Sequence, residues 1–100
     1  MRTVVVLAEA AEDIEQGRDF YDEQDSGIGD YFADSAVADI ASLAFHHGIH
    51  TRHFGFYRML MHRFPFGIYY RDLKAETQVF AILDLRRDPN WIRKELSRRR

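Results

Sequence analysis

The chain has 100 residues, 46% hydrophobic and 30% charged, with a formal net charge of −2 and no cysteine. That length sets the expectation of a single domain over residues 1–100 with one modest core. The missing cysteine excludes a disulfide framework and a thiolate metal site. No apolar run is long enough for a membrane span or built like a secretory leader, so a cytoplasmic protein is expected.

Thr3 to Leu7 reads as a strand, because three consecutive valines are stiff at χ1 and favour extended backbone. Without alternation, both of its faces are expected to be covered. Glu9 to Gln24 follows as a helix with Leu7, Ala11, Ile14, Arg18 and Tyr21 on one stripe. Its acidic first half suits the positive end of the helix dipole. Asp25-Ser26-Gly27 breaks the pattern, and Asp25 or Ser26 is a candidate cap for the next helix. Ile28, Phe32, Ala36, Ile40 and Leu43 then form an apolar stripe to about His46 or His47, with Gly48 as the stop. Two helices joined by so short a turn make an αα-hairpin.

Ile49 to Gly55 is expected as a loop. Phe56 to His62 alternates, with Tyr57, Met59 and Met61 on one face. Phe64, Phe66, Ile68 and Tyr70 line the next strand, and Pro65 belongs at a strand start, an edge or a bulge. After a turn over Leu73 to Glu76, Val79, Ala81, Leu83 and Leu85 carry the last strand. Strands this close in sequence pair as an antiparallel meander. Asp88-Pro89 opens a short helix, as N-cap and first helical residue, and residues 97–100 are expected to fray. The predicted class is α+β in the order β-α-α-β-β-β-(short α). A mainly antiparallel sheet of about four strands carries the N-terminal hairpin on one face.

Charge is unevenly placed. Residues 1–50 carry 2 basic and 11 acidic side chains, and residues 51–100 carry 12 basic and 5 acidic. Two readings stand: an interaction surface for an anion such as RNA, a DNA-bound enzyme or an acidic protein tail, or an internal match of acidic helices to a basic sheet. Arg58, Arg63 and Arg71 lie on or beside the middle strands. They are either an anion-binding face or a solvated face paired with Asp72 or Asp84. Arg86 and Arg87 end the last strand, one of them a candidate partner for Asp88. Tyr69 is open between core and binding. His46, His47, His50 and His53 have spacings that could hold zinc, but Gly48 interrupts them and no cysteine or neighbouring carboxylate completes a tetrahedron. Neither a metal nor a cofactor is expected, and no phosphate loop or nucleophile elbow occurs.

The run Ala11-Glu12-Asp13-Ile14, Phe20-Tyr21, Gly27-Ile28-Gly29-Asp30-Tyr31-Phe32, Arg63-Phe64-Pro65-Phe66-Gly67-Ile68-Tyr69-Tyr70 and Ala81-Ile82-Leu83-Asp84-Leu85-Arg86-Arg87-Asp88-Pro89 resembles the RelE/ParE toxins of bacterial toxin–antitoxin and plasmid stabilisation modules. The resemblance covers Ala8 to Trp91. It implies a small toxin silenced by a cognate antitoxin, with the same element order. RelE-like members cleave messenger RNA on the ribosome, and ParE-like members poison DNA gyrase. The RelE pattern places an arginine on the third strand, where this chain has Gly67. It also places a basic residue at the end of the fourth strand, matched by Arg86 or Arg87. Its late tyrosine or histidine has no counterpart after residue 70. A ParE-like toxin is therefore the leading expectation, with Arg58, Arg63, Arg71, Arg86, Arg87 and Tyr69 as binding residues. The alternatives are an mRNA endoribonuclease with an altered set (Arg58, Arg63, Arg86, His62) and a non-toxic interaction module.

Overall fold

Alternation of period two and stripes of period 3.6 divide the chain into strands and helices. The computed structural model, which describes all 100 residues, bears this out. The elements are β1 (Thr3–Val6), α1 (Ala8–Gln24), α2 (Ile28–His46), β2 (Thr51–His53), β3 (Phe56–Leu60), β4 (Phe66–Asp72), β5 (Glu76–Asp84) and α3 (Pro89–Arg99). The sheet has five strands in the order β1-β5-β4-β3-β2. Only the β1–β5 pair is parallel.

The fifth strand is β2, inside the segment expected as a loop. Phe54 and Gly55 turn the chain with φ of 55° and 86°. Positive φ at both central residues is the geometry of a tight hairpin turn whose twist matches its strands, and His53 faces Phe56 across it. Glycine takes the second position without cost. Phenylalanine at the first is unusual, which is why Phe54-Gly55 gave no turn signal.

The helical hairpin packs on one face of the sheet. The core there takes Ile14, Phe32, Ala36, Ile40 and Leu43 from the helices, and Met59, Phe66, Ile68, Tyr70, Val79 and Ile82 from the strands. Phe32 is fully buried, worth roughly 2–3 kcal/mol of transfer free energy. Its ring lies 4.8 Å from that of Phe66 and 5.1 Å from that of Phe64. Gly17 admits this ring against α1, since a Cβ there would stand 2.3 Å from it. The opposite face meets α3 over a smaller core of Phe56, Tyr69, Ala81, Leu83, Ile92 and Leu96.

Several expectations need correction. In α1 the expected Ile14 and Tyr21 do face the core, but Ala10, Asp13 and Gly17 are buried in place of Ala11 and Arg18, because an aspartate and a glycine occupy core-facing places. No side chain of the 25–27 turn caps α2. Its N-cap is Gly27, and Asp22 of α1 instead accepts the Gly29 N–H at 2.8 Å. β1 ends at Val6 and is an edge strand with Thr3 and Val6 exposed, so its two faces are not both covered. In β5, Tyr69 pairs with Ala81 but Tyr70 with Val79, so Phe80 is the extra residue of a bulge. The bulge breaks the expected single face: Val79 looks to the helical hairpin, and Ala81 and Leu83 look to α3. The α3 cap is as expected, with Asp88 accepting the Asn90 N–H at 2.8 Å and Pro89 opening the helix. Residues 97–99, however, are helical rather than frayed.

Candidate interaction surface

Arg99 holds the end of α3 in place. β1 covers β5 only from Glu76 to Val79, so the rest of β5 has an edge with no strand beside it. An aspartate and an arginine close part of that edge. Asp13 of α1 accepts the Ile82 N–H at 2.9 Å, and Arg99 donates to the Phe80 carbonyl at 3.1 Å. The two side chains bind each other through paired contacts of 2.6 and 2.9 Å, at 7% and 8% exposure. Burial raises the Asp13 carboxyl above its ordinary value, against the pull of the bonds from Arg99 and Ile82. Burial works against the Arg99 charge as well, but its bonds to Asp13 and Glu95 outweigh it and push its pKa up. Glu95 is held down to about 2 by hydrogen bonds from Arg98 and Arg99. A cleft of about 470 Å³ runs along this edge between α1 and α3, and the locking pair forms part of its wall. Composition gave no signal for this lock, because its two halves lie 86 residues apart.

The arginines divide into two kinds. Arg2, Arg18, Arg86, Arg98 and Arg99 have carboxylate partners. No carboxylate comes within ion-pair reach of Arg58, Arg63, Arg71 or Arg87, and the last three lie against aromatic rings instead. Arg71 stands 4.5 Å from the Phe56 ring centre and 5.3 Å from that of Phe80. Arg87 lies 3.5 Å over Trp91, and Arg63 is 5.8 Å from the Tyr31 ring, whose hydroxyl it bonds at 2.9 Å. Arg58 crosses the sheet over Gly67, where a Cβ would meet its Cγ and Cδ at 3.1 Å. Its Nε is buried without a hydrogen bond, and its guanidinium sits beside the Tyr69 phenol, whose pKa burial raises. Stacking keeps the guanidinium plane flat on a ring and leaves its N–H edge for an anion.

The sites expected from sequence are therefore only partly brought together. Arg58, Arg71 and Arg87 share the α3 side of the sheet, with Arg93 and Lys94 exposed on α3 itself. Tyr69, expected as a contact, is 1% exposed and belongs to the core under α3. Arg86 is tied to Asp84 by contacts of 2.7 and 3.0 Å. Those bonds, the largest cause, lower the Asp84 pKa. Neither Arg86 nor Arg87 pairs with Asp88, which is spent on its cap. The His62 ring bonds Asp39 at 2.7 Å, and Asp39 also accepts the His62 N–H at 3.0 Å. This anchors α2 to the turn after β3. Arg63 sits against Tyr31 of α2, on the helical side. The four residues Arg58, Arg63, Arg86 and His62 thus do not converge on one point.

Two of the remaining histidines, His47 and His50, are also engaged. Gly48 N–H donates to the Tyr70 hydroxyl at 2.9 Å, and His50 Nδ1 lies 2.5 Å from the same oxygen. Burial lowers the His50 pKa. His47 bonds Asp72 at 2.8 Å, and Asp72 also accepts from Thr77 at 2.6 Å. No group of three His, Cys, Asp or Glu side chains is placed to hold a metal ion. No helix is long and apolar enough to cross a membrane.

No family model matches the chain, and no curated protein matches it. Among solved structures it is similar to a chain of the "Chromosomal ParDE TA system from P. aeruginosa", with a TM-score of 0.74 and 20% identity. The match covers 82% of this chain and 94% of that one. The α+β architecture expected from the element order is thus a fold shared with a chain of a solved toxin–antitoxin system.

Proposed function

We propose that this chain is the toxin of a toxin–antitoxin pair. A cognate antitoxin holds it silent by covering the α3 side of the sheet. The toxin acts as ParE-like proteins do, occupying a macromolecular target such as DNA gyrase rather than cutting RNA. One observation carries this reading. Arg58, Arg71 and Arg87 sit unneutralised on one side of the sheet, while the other members of the nuclease set are spent elsewhere. RNA cleavage needs a base at the ribose hydroxyl, cations at the phosphoryl oxygens and an acid at the leaving oxygen, all within hydrogen-bond reach of one point. Here His62 and Arg86 are bound to carboxylates and Arg63 is on the helical side. A surface that binds needs only accessible cations; a surface that cleaves needs them focused.

The ribosome-dependent endoribonuclease reading keeps one observation in its favour. The Cγ and Cδ of Arg58 lie over Gly67, so the stem of an arginine from the neighbouring strand covers the position where the resemblance implies an arginine. Induced expression separates the readings. The proposed function predicts growth arrest with gyrase trapped on DNA and message intact, relieved by co-expression of an adjacent antitoxin-like reading frame. Normal supercoiling without a DNA-damage response removes gyrase as the target. Discrete breaks in ribosome-bound message establish the nuclease, and harmless overexpression establishes a non-toxic interaction module.

A further inference from the structure

We propose that the outward face of α2 is a docking surface for the same face of a second copy of this chain, the two helices crossing antiparallel about Ala41. One side of α2 is spent on the core through Phe32, Ala36, Ile40 and Leu43. The other side repeats the helical period with Val37, Ala41 and Phe45, each one turn from the next, and Ala38 beside them. Ala38 and Ala41 are exposed, Val37 is 59% exposed and Phe45 69%. From Ser35 to Phe45 the only charged residue is Asp39, which is buried and bonded to His62. Over this stretch α2 is apolar on both faces, the pattern of a helix covered on both, yet the chain itself leaves the second face open to solvent.

The face is its own complement. An antiparallel crossing at Ala41 sets that residue against itself and Phe45 against Val37 of the other copy. Ala38 and Ala41 let the backbones approach, and each Phe45 ring fills the space beside them. A two-fold interface requires this kind of self-match. Charge fixes the direction. Asp30 and Asp34 precede the stripe and His46 follows it, so antiparallel helices bring the acidic end of one to the histidine end of the other. The two Asp34 carboxylates then stand roughly 21 Å apart along the axis, beyond the screening length of roughly 10 Å. Parallel helices would set them side by side. The same acids disfavour an anionic bilayer, which calls for cations along the margins of an apolar stripe, and α2 has neither lysine nor arginine. At roughly 28 by 10 Å the face is smaller than the ~800 Å² per partner of a standard interface, so the dimer is weak and concentration-dependent. The inference is independent of the toxin reading, and the α3 side of each copy stays uncovered.

The test is sedimentation of the full chain from about 10 μM to about 1 mM, with single-cysteine variants as a ruler, since the chain has no cysteine of its own. The unaltered chain should pass from monomer to dimer. Ala41→Glu sets two like charges against each other and should weaken the dimer by at least about tenfold. Ala75→Glu, the same change at an exposed position of the β4–β5 turn, should alter it by less than about twofold. On oxidation Ala41→Cys should link two copies, because a disulfide needs Cα atoms within about 7 Å, and Asp34→Cys should not. The cysteine variants decide the matter if Ala41→Glu does not fold. The proposal is overturned if the chain stays monomeric throughout, and a monomer that sediments with phosphatidylcholine vesicles would assign the stripe to a membrane surface instead. It is equally overturned if Ala41→Glu weakens the dimer no more than Ala75→Glu, or if Asp34→Cys links copies as readily as Ala41→Cys.

Discussion

The two sides of the sheet use the same residue types to opposite ends. The helical side holds the larger core, and acids there engage nearby polar groups: Asp30 of α2 binds Arg18, Asp39 of α2 binds His62, and Asp84 at the end of β5 binds Arg86. The α3 side holds the smaller core, and its arginines rest on rings with no carboxylate to meet them. The Asp13–Arg99 pair joins the two sides through the open edge of β5. The charge split between the halves of the chain therefore serves both readings set out from the sequence. Part of the basic half neutralises the acidic half, and Arg58, Arg71 and Arg87 lie on the side the helical hairpin does not cover.

Breaking the joint should have the largest effect. Asp13→Ala leaves the buried Arg99 guanidinium with only Glu95 and the Phe80 carbonyl and strips the Ile82 N–H of its acceptor, and should cost about 3 kcal/mol, read as a lowered midpoint in denaturant unfolding. Replacing Asp13 and Arg99 together by apolar residues should cost much less than the two single losses combined. Additive losses would show that the pair does not act as a unit. Gly17→Ala should cost about 1–3 kcal/mol by driving a methyl into the Phe32 ring, without altering anion binding on the other side. Asp88→Ala should cost about 1 kcal/mol through the lost cap, and should loosen α3 first in hydrogen exchange.

Acid should act on the α3 attachment. Glu95 has a folded pKa of about 2 against an ordinary 4.5, so folding binds fewer protons to it than unfolding does. Its contribution is complete above pH 4.5 and is lost as pH falls toward 2. Asp84 shifts the same way, through its bonds from Arg86, and adds to the loss. Asp72 does too: desolvation raises it, but the bonds from Thr77 and His47 carry it below its ordinary value. Asp13 shifts upward through burial and takes no part in it. Thermal midpoints should fall across that window, and Glu95→Gln should flatten the fall while lowering neutral stability by roughly 1 kcal/mol. An unchanged slope would show that Glu95 is not held as described. Smallest of all should be the effect of the ring-stacked arginines: Arg71→Gln or Arg87→Gln should shift stability by roughly 0.5 kcal/mol or less.

The sequence showed what local rules decide. The α2 stripe from Phe32 to Leu43, the Gly48 stop, the Asp88-Pro89 start and the alternation from Phe66 to Tyr70 are each set within a few residues and stand in the structure, although the strand begins at Phe66 rather than at Phe64. What it did not show depends on distant partners. The Phe80 bulge answers to the register of β4 and leaves no mark on composition. Asp13 looks like one more surface acid until Ile82 and Arg99 surround it. Arg86 and Arg87 are adjacent in sequence, yet one closes on Asp84 and the other lies on Trp91. Spacing cannot separate a paired guanidinium from a free one, because the difference lies in whether a carboxylate from another element reaches it.

The central claim is that the unpaired guanidinium groups on the α3 side carry the activity. It is tested most directly by growth on inducing the Arg58→Gln, Arg71→Gln, Arg87→Gln triple variant beside the unaltered chain, after confirming equal thermal midpoints and protein levels. The account predicts arrest by the unaltered chain and normal growth with the variant. Equal arrest by both would contradict it.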